Sequence, residues 1–181
     1  MAPEAAPACA IQAFDAALHD RKEFSCGLER IDNFLKITAR KHQDGDFTRV
    51  FVAARPEDLT VIGYYALSAH SLTGPGVPGD LTKRGPRHSI PAAYLSMIGV
   101  DKREQGNGLG VVLLADALKR VSNASDAIGL KAVLLDVVDD DGPDAYGRRL
   151  AFYRRMGFRS FPSRESRMFL TLKDIRAAFE E

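Results

Sequence analysis

Six consecutive residues, Gln105-Gly106-Asn107-Gly108-Leu109-Gly110, join two kinds of periodicity in a way that suits the holding of a phosphate. An apolar, strand-like stretch from Tyr94 to Val100 precedes them, and from Val111 to Val121 apolar residues recur at helical spacing. Glycine lets backbone N–H groups approach an anion without a Cβ in the way, and the first amides of a helix are unpaired donors at the positive end of its dipole. A plain strand-to-helix turn uses the same glycines, so the loop alone leaves both readings open. Spacing narrows the choice. Neither G-x-G-x-x-G nor G-x-x-x-x-G-K-[ST] occurs, and what stands here is Q-x-x-G-x-G.

The elements that must position this loop follow from pattern and punctuation. Ala10 to Phe14 reads as a short strand, and Leu28 to His42 as a helix with Leu28, Ile31, Leu35 and Ala39 on one face. Thr48 to Ala54 and Val61 to Leu72, rich in β-branched and aromatic residues, read as antiparallel strands joined by a hairpin-length link. Thr73 to Pro91 holds four prolines and four glycines and reads as a long surface loop. The strand Ala92 to Val100, the helix Leu109 to Ser122 and the unbroken apolar run Leu130 to Val138 then form a strand-helix-strand unit, expected to be right-handed and parallel. A second helix, Gly142 to Met156, is opened by Pro143 and closed by Gly157. Arg159 to Pro162 and Arg167 to Leu172 suggest terminal strands, and Lys173 to Glu181 a short helix. The order is mixed α/β.

Length and composition set bounds. A chain of 181 residues can bury a full core, and the expectation is one domain, residues 10–181, behind a loose tail, residues 1–9. A net charge of +1 provides no strong field toward nucleic acid or anionic lipid. The N-terminus lacks the basic start and apolar core of a signal peptide, and no segment approaches the ~20 apolar residues that span a bilayer, so residence in the cytoplasm without a membrane partner is expected. Cys9 and Cys26 have no metal or redox spacing, and His42, His70 and His88 stand isolated, so no metal is expected. Phe161, Phe169 and Phe179 leave room for a homodimer face, with core packing as the other use.

The pattern Q-x-x-G-x-G after Ile98-Gly99-Val100-Asp101 resembles the acetyl-CoA loop of the GNAT superfamily of N-acetyltransferases. A second block, Ala151-Phe152-Tyr153-Arg154-Arg155-Met156-Gly157-Phe158, is similar to that family's A-x-F-Y-x-x-x-G-F helix end. The resemblance covers about Phe24 to Leu170 and implies a single GNAT-type domain: a central mixed sheet of six to seven strands flanked by helices, two of its parallel strands splayed around acetyl-CoA. It implies that the backbone at Ile98, Gly99 and Val100 pairs with the coenzyme and polarises its thioester. The diphosphate would rest on Gln105, Gly106, Asn107, Gly108, Leu109 and Gly110, with Arg103 or Lys102 adding charge. Tyr153 would donate a proton to the departing sulfur, since a phenol of ordinary pKa ~10 stays protonated at neutral pH. No general base stands out among Glu29, Asp136, Asp139, Asp140 and Asp141, and an already neutral amine needs none.

The first half is similar to GNAT toxins of toxin-antitoxin pairs, which acetylate aminoacyl-tRNA. The residues that carry this are Phe24-Ser25-Cys26-Gly27, Ile31-Asp32-Asn33-Phe34-Leu35, Ala39-Arg40-Lys41-His42-Gln43, Arg49-Val50-Phe51-Val52 and Gly63-Tyr64-Tyr65-Ala66-Leu67. That likeness implies an antitoxin partner and places Arg84 and Arg87 beside an RNA substrate. Met97-Ile98-Gly99 stands where such toxins carry a cation, Asp139 to Arg149 is longer, and the charge is near neutral. The leading expectation is therefore an acetyl-CoA-dependent N-acetyltransferase whose amine acceptor is a small molecule, a protein or aminoacyl-tRNA. The tRNA-acetylating toxin is the alternative, and a non-catalytic acyl-CoA-binding or protein-interaction module is the alternative of another class.

Overall fold

A computed structural model describes residues 9–86 and 89–180. The strands are β1 Ile11–Ala13, β2 Arg49–Ala54, β3 Val61–Leu72, β4 Ile90–Val100, β5 Ala132–Asp136, β6 Arg159–Phe161 and β7 Arg164–Thr171. They form one mixed seven-stranded sheet in the order β1-β2-β3-β4-β5-β7-β6, flanked by helices. The helices are α1 Glu29–Asn33, α2 Ala39–Asp44, α3 Gly79–Thr82, α4 Leu109–Ala124, α5 Pro143–Arg155 and α6 Leu172–Phe179. Two compact units result. One takes the described residues up to Ser68 together with Met97–Ala117, and the other takes Ala69–Ser96 and the chain from Leu118 onward.

In the first unit β1, β2 and β3 form an antiparallel meander, with Ile11 opposite Ala53 and Val52 opposite Tyr64. Alternation along β2 buries Val50 and Val52, and β3 buries Ile62, Tyr64 and Tyr65. The single helix expected over Leu28 to His42 is broken into α1, a π-helical segment Phe34–Thr38, and α2. The interruption has a cause at hand: the buried Tyr64 hydroxyl donates to the Ile31 carbonyl at 2.6 Å, inserting a side chain into the helical hydrogen-bond ladder.

In the second unit β4 pairs in parallel with β5, Ala92 opposite Ala132 and Tyr94 opposite Leu134. β5 runs antiparallel to β7 through Asp136 opposite Arg167, and β6 forms a hairpin with β7. The expected loop from Thr73 to Pro91 is not wholly irregular. Within it α3 carries Leu81, 1% exposed, into a core of Leu72, Ile90, Ala92, Ala132, Leu134, Phe161 and Phe169. Proline tolerance explains the other departure. Pro91 lies inside β4 as an acceptor only, its carbonyl taking the Lys131 N–H at 2.8 Å. Phe161 and Phe169 meet edge-on at 5.6 Å in that core, so of the three phenylalanines considered for a homodimer face only Phe179 is exposed.

Candidate active site

Where β4 ends, a buried carboxylate anchors the loop that follows. Asp101, 1% exposed, accepts from the Arg103 backbone N–H at 3.0 Å and from Arg103 Nε and Nη2 at 2.8 and 2.9 Å, and it also takes the Ser25 N–H at 3.3 Å. Burial pushes its pKa up, but the Arg103 and backbone hydrogen bonds outweigh this and hold the carboxyl below its ordinary value. Arg103 is thus already committed to a carboxylate. One turn on, Gln105 Nε2 donates to the carbonyls of Val100 and Cys26, both at 2.9 Å, and Glu104 pairs with Arg55 at 2.8 Å. The base of the loop is tied at three successive points.

The crown of the loop is held open. Gly106 and Gly108 have φ of 85° and 81°, the left-handed region that favours glycine, and a Cβ at either would meet nothing within 4 Å. These glycines are required for backbone direction and not for room. The Gly108 carbonyl accepts from Val111 at 3.1 Å and Val112 at 3.2 Å, which starts α4, so Leu109 and Gly110 supply the first amides of a helix of 16 residues. The first-turn amides of a long helix, beside glycines whose Cβ positions are open, fit a diphosphate.

Gly99 serves a different end. A Cβ there would lie 2.8 Å from Ile31 Cγ2 and 3.4 Å from Cys26 Cβ, so its absence lets α1 close against β4 between Ile98 and Val100. Asp32 fixes that approach by accepting from the Cys26 N–H at 2.8 Å. Burial, and then the Asp32 hydrogen bond, push the Cys26 thiol up to about 12, so it is no nucleophile at neutral pH. Ile98 and Val100 flank this glycine with half-buried side chains.

Tyr153 belongs to the second unit, on α5. That helix starts after Gly142 at φ 97°, with Pro143 in its first turn, and Arg149 ties it back to the Val138 carbonyl at 2.9 Å and to Asp141. Tyr153 is 8% exposed and lies edge-on to Phe152 and Phe158, ring centroids 5.2 and 5.8 Å away. Gly157 at φ 91° turns the chain so that the Phe158 N–H reaches the Tyr153 carbonyl at 3.0 Å, which is what the G-F pair of the helix end achieves. Burial raises the phenol to about 12, against a smaller lowering by Arg149, so the hydroxyl keeps its proton throughout the physiological range.

The acidic residues considered as bases are differently employed. Asp136 takes the Tyr94 hydroxyl at 2.8 Å and a two-pronged Arg167 at 3.0 and 2.9 Å, and despite burial these donors hold its pKa below the ordinary value. Arg149 does the same to Asp141. Glu29, Asp139 and Asp140 are exposed. Arg84 is exposed in the second unit at φ 61°, and Arg87 and His88 lie outside the described residues. Ile98 through Val100, Arg103 and Gln105 through Gly110 are brought together in the first unit. Asp101 and Tyr64 escaped sequence reasoning. For Asp101 the available signal was an acid between an apolar strand and an arginine two residues on, whereas Tyr64 reads as one more strand aromatic.

Among the described residues no group of three His, Cys, Asp or Glu side chains is arranged to hold a metal, and no helix is long and apolar enough to cross a membrane. The profile of the Acetyltransferase (GNAT) family matches residues 16–158. The chain is 43% identical over 92% of its length, and 93% of the relative, to a probable toxin TacT of Sinorhizobium fredii. It is 35% identical over 87% of its length, and 89% of the relative, to a tRNA-acetylating toxin of Mycobacterium tuberculosis. Two solved structures share its fold. AtaT complexed with acetyl-methionyl-tRNAfMet has a TM-score of 0.81 at 25% identity, covering 94% of this chain and 98% of that one. AtaTR bound with AcCoA has 0.78 at 26%, covering 94% and 97%.

Proposed function

The chain belongs to the acetyltransferase (GNAT) family, and from that premise we propose that it moves the acetyl group of acetyl-CoA onto the α-amino group of aminoacyl-tRNA, as a toxin held in check by a protein antitoxin. The observation that carries the choice of acceptor is the 43% identity with a probable toxin over 92% of the chain, joined by 35% identity with a tRNA-acetylating toxin. These favour the charged tRNA over the wider range of amines that the residues alone leave open. The reading takes residues 10–181 as one catalytic domain, since the family match runs through both compact units, and sets it in the cytoplasm, where charged tRNA is found.

Acetyl-CoA supplies an activated acyl carbon. The amides from Gln105 to Gly110 hold the diphosphate, aimed by the left-handed backbone that Gly106 and Gly108 allow. The backbone N–H at Val100 or Ile98 donates toward the carbonyl oxygen, where charge develops, from a strand whose end is pinned by Gln105 and Asp101. The neutral amine attacks the carbonyl carbon, a C–N bond forms and the C–S bond breaks. Tyr153 donates its hydroxyl hydrogen bond to the departing sulfur, and the proton lost by the amine balances the one the thiol gains. With a phenol raised to about 12, the residue is a donor and never a base at neutral pH. No carboxylate is needed, which agrees with the commitment of Asp136 and Asp141 to arginines. Arg84 and Arg87 complete the reading as contacts to RNA.

Incubation with labelled acetyl-CoA and charged tRNA, followed by alkaline cleavage of the aminoacyl ester, tests the proposal. Labelled N-acetylamino acid in the hydrolysate is expected. Label on peptides or polyamines, with none on the amino acid, would overturn the choice of acceptor.

A further inference from the structure

The second unit contains a cavity of about 840 Å³ lined by five cations, Lys83, Arg84, Lys131, Arg159 and Lys173, against two carboxylates. For a chain whose net charge is only +1, that is a marked local excess. Arg159 pairs with both carboxylates and offsets one of their two charges: it reaches Asp80 at 2.5 Å and Asp174 at 3.7 Å, and its guanidinium lies 4.8 Å over the Phe169 ring. The other four make no ion pair among the described residues. The backbones of three of them are fixed. Lys131, just before β5, donates to Pro91 at 2.8 Å and accepts from Leu172 at 2.9 Å, Lys83 donates to Gly79 at 3.0 Å, and Lys173 sits in the first turn of α6. Five cations against two carboxylates leave an excess of three positive charges around one cavity, and an anionic ligand relieves their mutual repulsion.

The lining also indicates which anion. The cavity exceeds the size of one phosphate, it presents several ammonium groups and no ring for a base to stack on, and its cations come from separate segments around 83, 131 and 173. That pattern suits consecutive backbone phosphates, read by charge and not by base identity. Resting on the reading of aminoacyl-tRNA as acceptor, we propose that this cavity is a docking subsite for the phosphate backbone of the RNA, at the end of β5 opposite Asp136. It adds affinity for the tRNA body without touching the reacting groups.

The test uses the full chain and the triple variant Lys83→Gln, Lys131→Gln, Lys173→Gln, with Lys→Arg at the same three positions as the charge-keeping control. Deacylated tRNA binding is followed by anisotropy across a salt series. The Gln variant should bind at least 10-fold more weakly at low salt, and its log-affinity slope against log salt should be shallower by about 2, at ~0.7 to 0.9 per lost phosphate contact. The Arg variant should restore both. In acetylation assays KM for charged tRNA should rise by a similar factor with kcat unchanged, while a short aminoacyl-oligonucleotide acceptor should be used as well as by the wild type. Unchanged tRNA affinity and salt slope would overturn the proposal, and an acidic peptide as the true occupant would give that result. Should the wild type acetylate no charged tRNA, the reading beneath fails, but the anisotropy series still decides whether the cavity binds RNA.

Discussion

The Tyr64 hydroxyl donates a 2.6 Å hydrogen bond to the Ile31 carbonyl, and the helical run turns π-helical three residues later, at Phe34. Ile31 is also the residue whose Cγ2 fills the space a side chain at Gly99 would need. One phenol on β3 therefore sets how α1 lies against the strand end that carries Ile98 and Val100.

Tyr64→Phe removes that donor and leaves a carbonyl inside the core without its phenol. The ring should stay in place between Phe24 and Phe34, centroids 5.6 and 6.2 Å away. Loss of about 1–3 kcal/mol is expected for an unsatisfied buried acceptor, read as a lower denaturation midpoint at unchanged m-value. A variant as stable as the wild type would show that the bond does not shape the segment.

The two kinds of glycine should separate in a binding assay. Gly108→Ala meets no atom but forces alanine to φ 81°, so it should cost about 1 kcal/mol of stability and weaken acetyl-CoA binding by displacing amides. Gly99→Ala places a methyl 2.8 Å from Ile31 and should chiefly destabilise the fold. Calorimetric titration beside thermal melts distinguishes them, and equal loss of binding at the same stability in both variants would contradict the assignment.

Acid should act on Asp101. Its carboxyl is held below the ordinary value by Arg103, so the stabilisation it provides is fully present above the unfolded carboxylate range, near pH ~4, and is lost as pH falls through the lower folded value. Asp101→Asn should lower stability at pH 7 by about 1–3 kcal/mol and should flatten the acid limb of a stability-against-pH curve. Parallel acid limbs for variant and wild type would rule this out.

How much of this was legible depended on range. Q-x-x-G-x-G and the strand-helix change around it are local patterns, and the loop, α4 and α5 lie close to where periodicity placed them. The buried apolar run of β5 was equally plain. Long-range partners were not legible. Nothing in the residues near Leu28 foretells that a tyrosine more than 30 positions on would perturb the helix, nor that Leu81 would carry a proline-rich segment into a core. Arg103 looked like a cation available to a phosphate until Asp101 was seen to occupy it. Net charge is likewise a whole-chain average: +1 conceals five cations around one cavity.

The measurement that bears most directly on the account is a single-turnover acetylation of charged tRNA by the wild type and by Tyr153→Phe, with acetyl-CoA affinity determined for both. The rate should fall by about 10²–10⁴ in the variant while acetyl-CoA affinity stays the same, because the phenol acts on the departing sulfur and the loop amides hold the coenzyme. With the phenol raised to about 12 by burial, the wild-type rate should show no decline from its ionisation across the neutral and mildly alkaline range in which the aminoacyl ester survives. A variant that acetylates as fast as the wild type, or that loses acetyl-CoA binding along with its rate, would contradict it.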